Sequence, residues 1–224
     1  MEYILPGIVC AMLIFIFSMF RPAATSKIED NLYSVRCLFV NFYILRINDS
    51  LILFDTGISK KMALRGFAKL KLSPDSVTHI FLTHSDRDHA GGAAAFPDAL
   101  LILPAGEEQM INGKKARRLF IYNKKPKEIY QLTGNNDILE IGGVEIKTLP
   151  VPGHTPGSVI YLINEEICVC GDLLRITRKR TLKQFMRLMN MNHKQNRDSF
   201  FAVAGILNSS RLLLSGHTGY LKKG

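Results

Sequence analysis

Cysteine is scarce, with four in 224 residues, and these four build no disulfide framework. Cys10 lies inside an apolar run, while Cys168 and Cys170 stand two apart in ICVCGD. The C-x-C spacing excludes the C-x₂-C of a zinc knuckle or thioredoxin-like site. In a strand the two side chains share one face and pack as core thiols. Acidic residues are outnumbered, 19 against 29 basic, for a formal net charge of +10. That excess points to anionic membrane, nucleic acid or acidic substrates. Aromatics are sparse within the basic stretches, so the stacking platform of a single-strand binder is missing and nucleic acid is not an expected partner. Internal repeats and low-complexity linkers are also missing after residue 30, which leaves one domain. With 47% hydrophobic and 21% charged residues, the chain has the material for a core and is not disordered.

Charge is missing altogether from Tyr3 to Phe20, YILPGIVCAMLIFIFSMF. A run of this length is at the short end of what spans a bilayer. The basic n-region of a cleavable signal is absent, with Glu2 in its place. Residues 1–24 are therefore expected to be a single-pass transmembrane anchor or uncleaved signal, 25–31 a linker, and 32–224 the domain. Arg21 and Lys27 follow the apolar run, which by the positive-inside rule places the domain on the cytoplasmic side.

Two apolar runs, SVRCLFVNFYILRI and SLILFDTG, are joined by the turn signal Asn48-Asp49 and predict a hairpin. A helix is expected over about Lys60 to Leu70, broken by Ser73-Pro74-Asp75 before a strand at Thr78 to Leu82. A short helix, the strand ALLILP and a basic segment of uncertain periodicity follow. Strands at Ile138 to Ile141 and Val144 to Leu149 flank the Gly142-Gly143 turn. VIYLI and ICVCGD form a further hairpin, Ser199 to Leu207 is helical, and RLLLSGH ends the fold as strand and loop. Strand groups followed by helices, twice over, predict an α/β chain of two face-to-face sheets with helices outside.

The chemistry gathers where apolar strands end. His84, Asp86, Asp88 and His89 fall within six positions, and imidazole and carboxylate are donors for divalent metals. His154 stands in the rigid loop Pro152-Gly153-His154-Thr155-Pro156-Gly157, Asp172 follows ICVCG, and His217 follows RLLLSG. Asp55, in Phe54-Asp55-Thr56-Gly57, is either a turn residue or part of the same site.

In this order the motifs resemble the metallo-β-lactamase superfamily of αββα metallohydrolases, whose pattern is an early Asp, T-H-x-H-x-D-H, a later His, an Asp and a final His. The resemblance runs from about residue 32 to the C-terminus and implies a four-layer αββα sandwich. It implies that His84, Asp86 and His154 hold a first divalent ion and Asp88, His89 and His217 a second, with Asp172 bridging. Zinc is the first expectation. Asp86 stands where the family has its second His, and this harder oxygen donor opens the site to iron or manganese. The implied activity is hydrolysis of an ester, thioester, lactone or phosphodiester by a hydroxide bridging the ions, with Asp88 and Asp172 at the reaction and Asp55 fixing ligands from behind. A small-molecule substrate is the expected partner. The alternatives are a di-iron redox protein and a non-catalytic membrane protein on the same scaffold. The basic stretches GKKARRLFIYNKKPK and RITRKRTLKQFMRLMNMNHKQNR are expected to be solvated faces or membrane-surface contacts.

Overall fold

The computed structural model describes residues 20–223. Within the segment expected to be a linker, β1 (Ser26–Glu29) pairs antiparallel with β2 (Leu32–Cys37), so the sheet begins before residue 32. The long run SVRCLFVNFYILRI is two strands, because the chain reverses at Leu38, whose φ of 63° is left-handed, before β3 (Val40–Ile47). β4 (Ser50–Phe54) returns through the expected Asn48-Asp49 turn. Helix α1 (Lys60–Leu70) starts where the Ser59 hydroxyl accepts from the Met62 amide and stops at Lys71, with φ 57°, the usual economy of an N-cap and a left-handed C-cap. β5 (Val77–Phe81), β6 (Leu100–Pro104) and β7 (Gln131–Thr133) then add in parallel, giving a seven-stranded sheet in sequential order. The connections carry two single-turn helices, α2 (Arg87–Ala90) and α3 (Glu108–Ile111).

The second sheet is built from β8 (Ile138–Ile141), β9 (Val144–Pro150), β10 (Val159–Ile163) and β11 (Ile167–Gly171). The basic segment after β11 forms a small ribbon, β12 (Leu174–Ile176) with β13 (Leu182–Gln184). The expected helix at Ser199 to Leu207 is two helices, α4 (His193–Ala202) and α5 (Ala204–Ser209). Its true start is Asn192, whose side chain caps the Gln195 amide. β14 (Leu212–Ser215) lies parallel to β11, and an unexpected β15 (Gly219–Lys222) closes the edge in the order β15-β14-β11-β10-β9-β8.

Alternation along the strands sorts the core into layers, since successive side chains leave a strand on opposite faces. In β3, Phe42 and Ile44 join Ala63 and Phe67 of α1, whereas Tyr43 and Leu45 face the other sheet. In β10, Tyr161 and Ile163 meet that inter-sheet layer, whereas Ile160 and Leu162 pack with Val203 and Leu207 under the C-terminal helices. Cys168 and Cys170 are reduced, buried and part of this last cluster, the packing role their spacing implied. The αββα order is thus three apolar layers between four. Two tyrosines tie the sheets with the hydrogen bonds that a buried hydroxyl requires. Tyr43 donates to the Ser215 carbonyl at 2.7 Å and Tyr161 to the Leu82 carbonyl at 2.8 Å.

Among the described residues no helix is long and apolar enough to cross a membrane. The anchor expected at residues 3–20 lies outside them except for Phe20, and Phe20 packs on the domain.

Candidate metal centre

Each expected ligand sits where a strand gives way to a loop, and these loops meet at one edge of the sandwich. β5 delivers His84 and Asp86, and the first turn after it, α2, carries Asp88 and His89. The β9–β10 loop brings His154, the end of β11 brings Asp172, and the end of β14 brings His217. Gly171 has φ of +47° and a Cβ there would lie 2.8 Å from Thr83. Only glycine lets β11 turn Asp172 inward against the β5 loop.

The four histidines share one arrangement. Each donates from Nδ1 to a fixed partner: His84 to Thr83 Oγ1 at 3.0 Å, His89 to Asp55 Oδ2 at 2.7 Å, His154 to Asn190 Oδ1 at 3.1 Å, and His217 to the Phe39 carbonyl at 2.9 Å. This fixes the tautomer and turns every Nε2 toward the centre, as metal-ligating imidazoles require. Asp55 is the hub of the support: it also accepts from the Thr83 amide at 2.8 Å and the Thr83 hydroxyl at 2.9 Å. It touches no other ligand atom, so its role is positional.

Around Asp172 the ligand atoms are spaced for an ion. Its Oδ2 lies 3.4 Å from His154 Nε2 and 3.2 Å from His217 Nε2, and its Oδ1 lies 3.4 Å from His89 Nε2. Asp88 Oδ2 stands 3.3 Å from His217 Nε2 and 3.9 Å from His89 Nε2. A tetrahedral ion about 2.0–2.1 Å from nitrogen and oxygen donors separates them by roughly 3.3 Å. Two groups each hold their ligand atoms within 4.8 Å of one another: His84, His154 and Asp172, and Asp88, His89 and His217. His84 Nε2 and Asp172 Oδ1 are buried without a hydrogen-bond partner. Such orphaned polar atoms are rare unless an ion satisfies them. The donor set therefore fits a divalent metal.

Electrostatics agree. Burial depresses His84, assisted by the charge of His89, so it stays neutral and able to ligate. Burial also opposes charge on His89, but Asp172, Asp55 and Asp88 outweigh it and raise this histidine well above its ordinary value. The same balance, with Asp172 and Asp88 against burial, pushes His217 up to about 10. Asp172 is fully buried, yet the surrounding imidazoles hold it well below the usual carboxylate range. Without an ion, protons on His89 and His217 neutralise the carboxylates, and metal binding must displace them.

Asp86 is at the centre, but its carboxylate is committed elsewhere. Arg117 Nε donates to both of its oxygens, at 2.9 and 2.7 Å, and Asn123 Nδ2 donates to Oδ1 at 3.0 Å. Arg117 was expected on a solvated or membrane-facing surface; its side chain is instead only 11% exposed. Glu107 was not anticipated either. Fully buried behind the loops, it accepts from the Ser85 amide and hydroxyl at 2.7 and 2.5 Å, the Thr155 hydroxyl at 2.6 Å and the Gly157 amide at 3.0 Å. It clamps the β5 loop to the β9–β10 loop. Phe20, Phe39 and Phe185 ring His217, with centroids 4.6, 5.8 and 5.5 Å away. At the mouth, a cavity of about 730 Å³ is lined by Arg117, Arg118, Leu119, Arg187, Leu188 and His193, among others.

With this fold and centre in view, the family follows. Residues 35–200 match the model of the metallo-beta-lactamase superfamily, and the chain belongs to that superfamily. Among curated proteins it is 31% identical over 153 residues to a hydroxyacylglutathione hydrolase of Dictyostelium discoideum, covering 65% of this chain and 50% of that one. It is 29% identical over 91 residues to an atrochrysone carboxyl ACP thioesterase of Cryptosporiopsis sp., covering 41% and 24%. The chain thus spans half or less of these relatives' lengths. In fold it resembles a metallo-beta-lactamase of Cronobacter sakazakii, at TM-score 0.68 and 22% identity, covering 90% of this chain and 81% of that one.

Proposed function

We propose that this chain is a metal-dependent hydrolase that cleaves acyl bonds, thioesters first among them. The observation that carries this reading is the convergence of four histidine Nε2 atoms on Asp172, each imidazole held at Nδ1 from behind. A divalent ion held there lowers the pKa of water toward 7 and polarises a substrate carbonyl. Asp88, with its side chain 24% exposed and its Oδ2 beside His217 Nε2, is placed to orient the attacking water and take its proton. The phenylalanines around His217 exclude solvent from that side, and the arginine-lined mouth suits an anionic acyl donor. The matches to proteins named as an acylglutathione hydrolase and an ACP thioesterase support a thioester over a lactone or phosphodiester. Zinc suits the nitrogen-rich donor set best.

The test is metal content of the full chain, purified without chelators, followed by turnover of acylglutathione, aryl ester, lactone and phosphodiester panels. Thioester hydrolysis that is abolished by chelation and restored by zinc is the expected result. Bound metal with turnover of the phosphodiester alone would overturn the substrate class. A protein that binds no metal would overturn the whole reading.

A further inference from the structure

We propose that the guanidinium of Arg117 takes the place of the first metal ion, so that this centre holds one divalent ion, on Asp88, His89, His217 and Asp172. The proposal rests on the metal-dependent reading above and refines its stoichiometry.

The position of the guanidinium is the first argument. Arg117 Nη2 lies 3.1 Å from His154 Nε2, while its Nε lies 2.7 Å from Asp86 Oδ2. Asn190 Oδ1 takes the Nδ1 proton of His154, so Nε2 presents its lone pair, and that lone pair accepts from Arg117. A first-site ion would need the same lone pair and the same carboxylate, and with the guanidinium there His84 Nε2 stays buried without a partner. His154 Nε2 and Asp86 Oδ2 are themselves only 3.2 Å apart, an acceptor pair that the cation bridges. Arginine never deprotonates under ordinary conditions, so its charge stays in place.

The second argument is how the side chain is held, through Nε and Nη2, with Nη1 buried without a hydrogen-bond partner. Nη2 also donates to the Met189 carbonyl at 2.8 Å, and the Arg117 amide donates to the Ile121 carbonyl at 2.7 Å. Asn123 braces the far side of the Asp86 carboxylate at 3.0 Å. A single guanidinium nitrogen, Nε, spans both oxygens of the carboxylate, a charge-assisted pairing.

Charge is the third. Asp86, Asp88 and Asp172 bring three negative charges to the centre. One divalent ion and one guanidinium match these three, and Asp55 adds a fourth carboxylate 2.7 Å behind His89. A guanidinium already seated at Asp86 raises the cost of a second dication beside it. The second group has no such competitor: among the described residues, Asp88, His89 and His217 are approached by no lysine or arginine within ion-pair distance. An aspartate in place of the second histidine is then accounted for, because an anion is what a guanidinium needs and an imidazole could not supply it.

The experiment is a zinc count by elemental analysis on the full chain in mild detergent, loaded with excess zinc and dialysed, together with Arg117→Met and Arg117→Lys. Cobalt spectra and circular dichroism are recorded on the same samples. One equivalent in the wild type, two in Arg117→Met and one in Arg117→Lys is the expected pattern, with a second cobalt absorption environment appearing only in the methionine variant. Two equivalents in the wild type would overturn the proposal on their own, whether or not the variants fold, and would leave metal-dependent hydrolysis intact. A folded Arg117→Met that still binds one would also overturn it. Zero in all three proteins would overturn both the stoichiometry and the metal-dependent reading.

Discussion

Asp55 shows how much of the centre is decided one bond behind it. Its carboxylate joins Thr83 to His89, and outer partners of this kind set the orientation and basicity of a ligand. Asp55→Ala is expected to weaken zinc binding by about 10- to 100-fold without unfolding the protein, measured by competition with a chromophoric chelator. Unchanged affinity would mean that His89 is oriented by packing alone. The protonated state makes a second prediction. His217 rests near 10 in the folded chain against an ordinary 6.5, so the folded metal-free protein keeps a proton that the unfolded chain releases above 6.5. The stabilisation is complete below pH 6.5 and is lost as pH rises toward 10. The melting temperature of chelator-treated protein should therefore fall across that window. Saturating zinc should flatten the fall, because the ion replaces the proton. A flat profile without metal would contradict the charge balance described for this histidine.

Between elements, the Glu107 clamp and the closeness of β14 to the centre govern whether the loops stay assembled. Glu107 gathers donors from Ser85, Thr155 and Gly157. Burial raises its pKa, and the Ser85 and Thr155 hydrogen bonds oppose that rise. Glu107→Ala strands several buried donors and should cost about 3 kcal/mol, while Glu107→Gln, which keeps the oxygen, should cost about half as much. Urea unfolding of the two variants distinguishes them, and equal costs would count against the clamp. Gly216 carries a different constraint. A Cβ there would lie 2.7 Å from both Asp172 Oδ1 and His89 Cε1. Gly216→Ala should thus displace two ligands at once and lower zinc affinity more than it lowers stability, which paired chelator-competition and melting measurements would show.

At the scale of the whole molecule, the stretch just after the apolar N-terminal run is part of the domain. The Arg21 amide donates to the His217 carbonyl at 2.8 Å, Arg21 Nη2 reaches the Ile176 carbonyl at 2.7 Å, and the Phe20 ring lies 4.6 Å from that of His217. Removing residues 1–25 should therefore be felt inside the domain. It should lower the melting temperature by several degrees, since about 1 kcal/mol is worth roughly 2–4 °C in a chain of this size, and should weaken zinc binding at His217. A truncated protein with unaltered melting and metal affinity would show that these contacts contribute nothing.

The sequence alone determined the layered α/β fold and the seven ligand candidates, because both are written locally. Alternating strands such as β3 and β10 sort their side chains by a period of two, and His84 to His89 lie within one short loop. It also determined the packing role of Cys168 and Cys170, whose spacing puts them on one face. Partnerships among side chains distant along the chain emerge only from the packed fold. Arg117 stands in a basic run indistinguishable from a solvated surface, and nothing near it signals that Asp86, 31 positions earlier, will accept from its Nε. Glu107 likewise follows an ordinary strand end, and its four donors come from two loops that meet only after the sheets have packed. The strand within residues 25–31 and the edge strand β15 were invisible for the same reason: short strands are stabilised by the neighbours they pair with, and a pairing between remote segments leaves no mark in local composition.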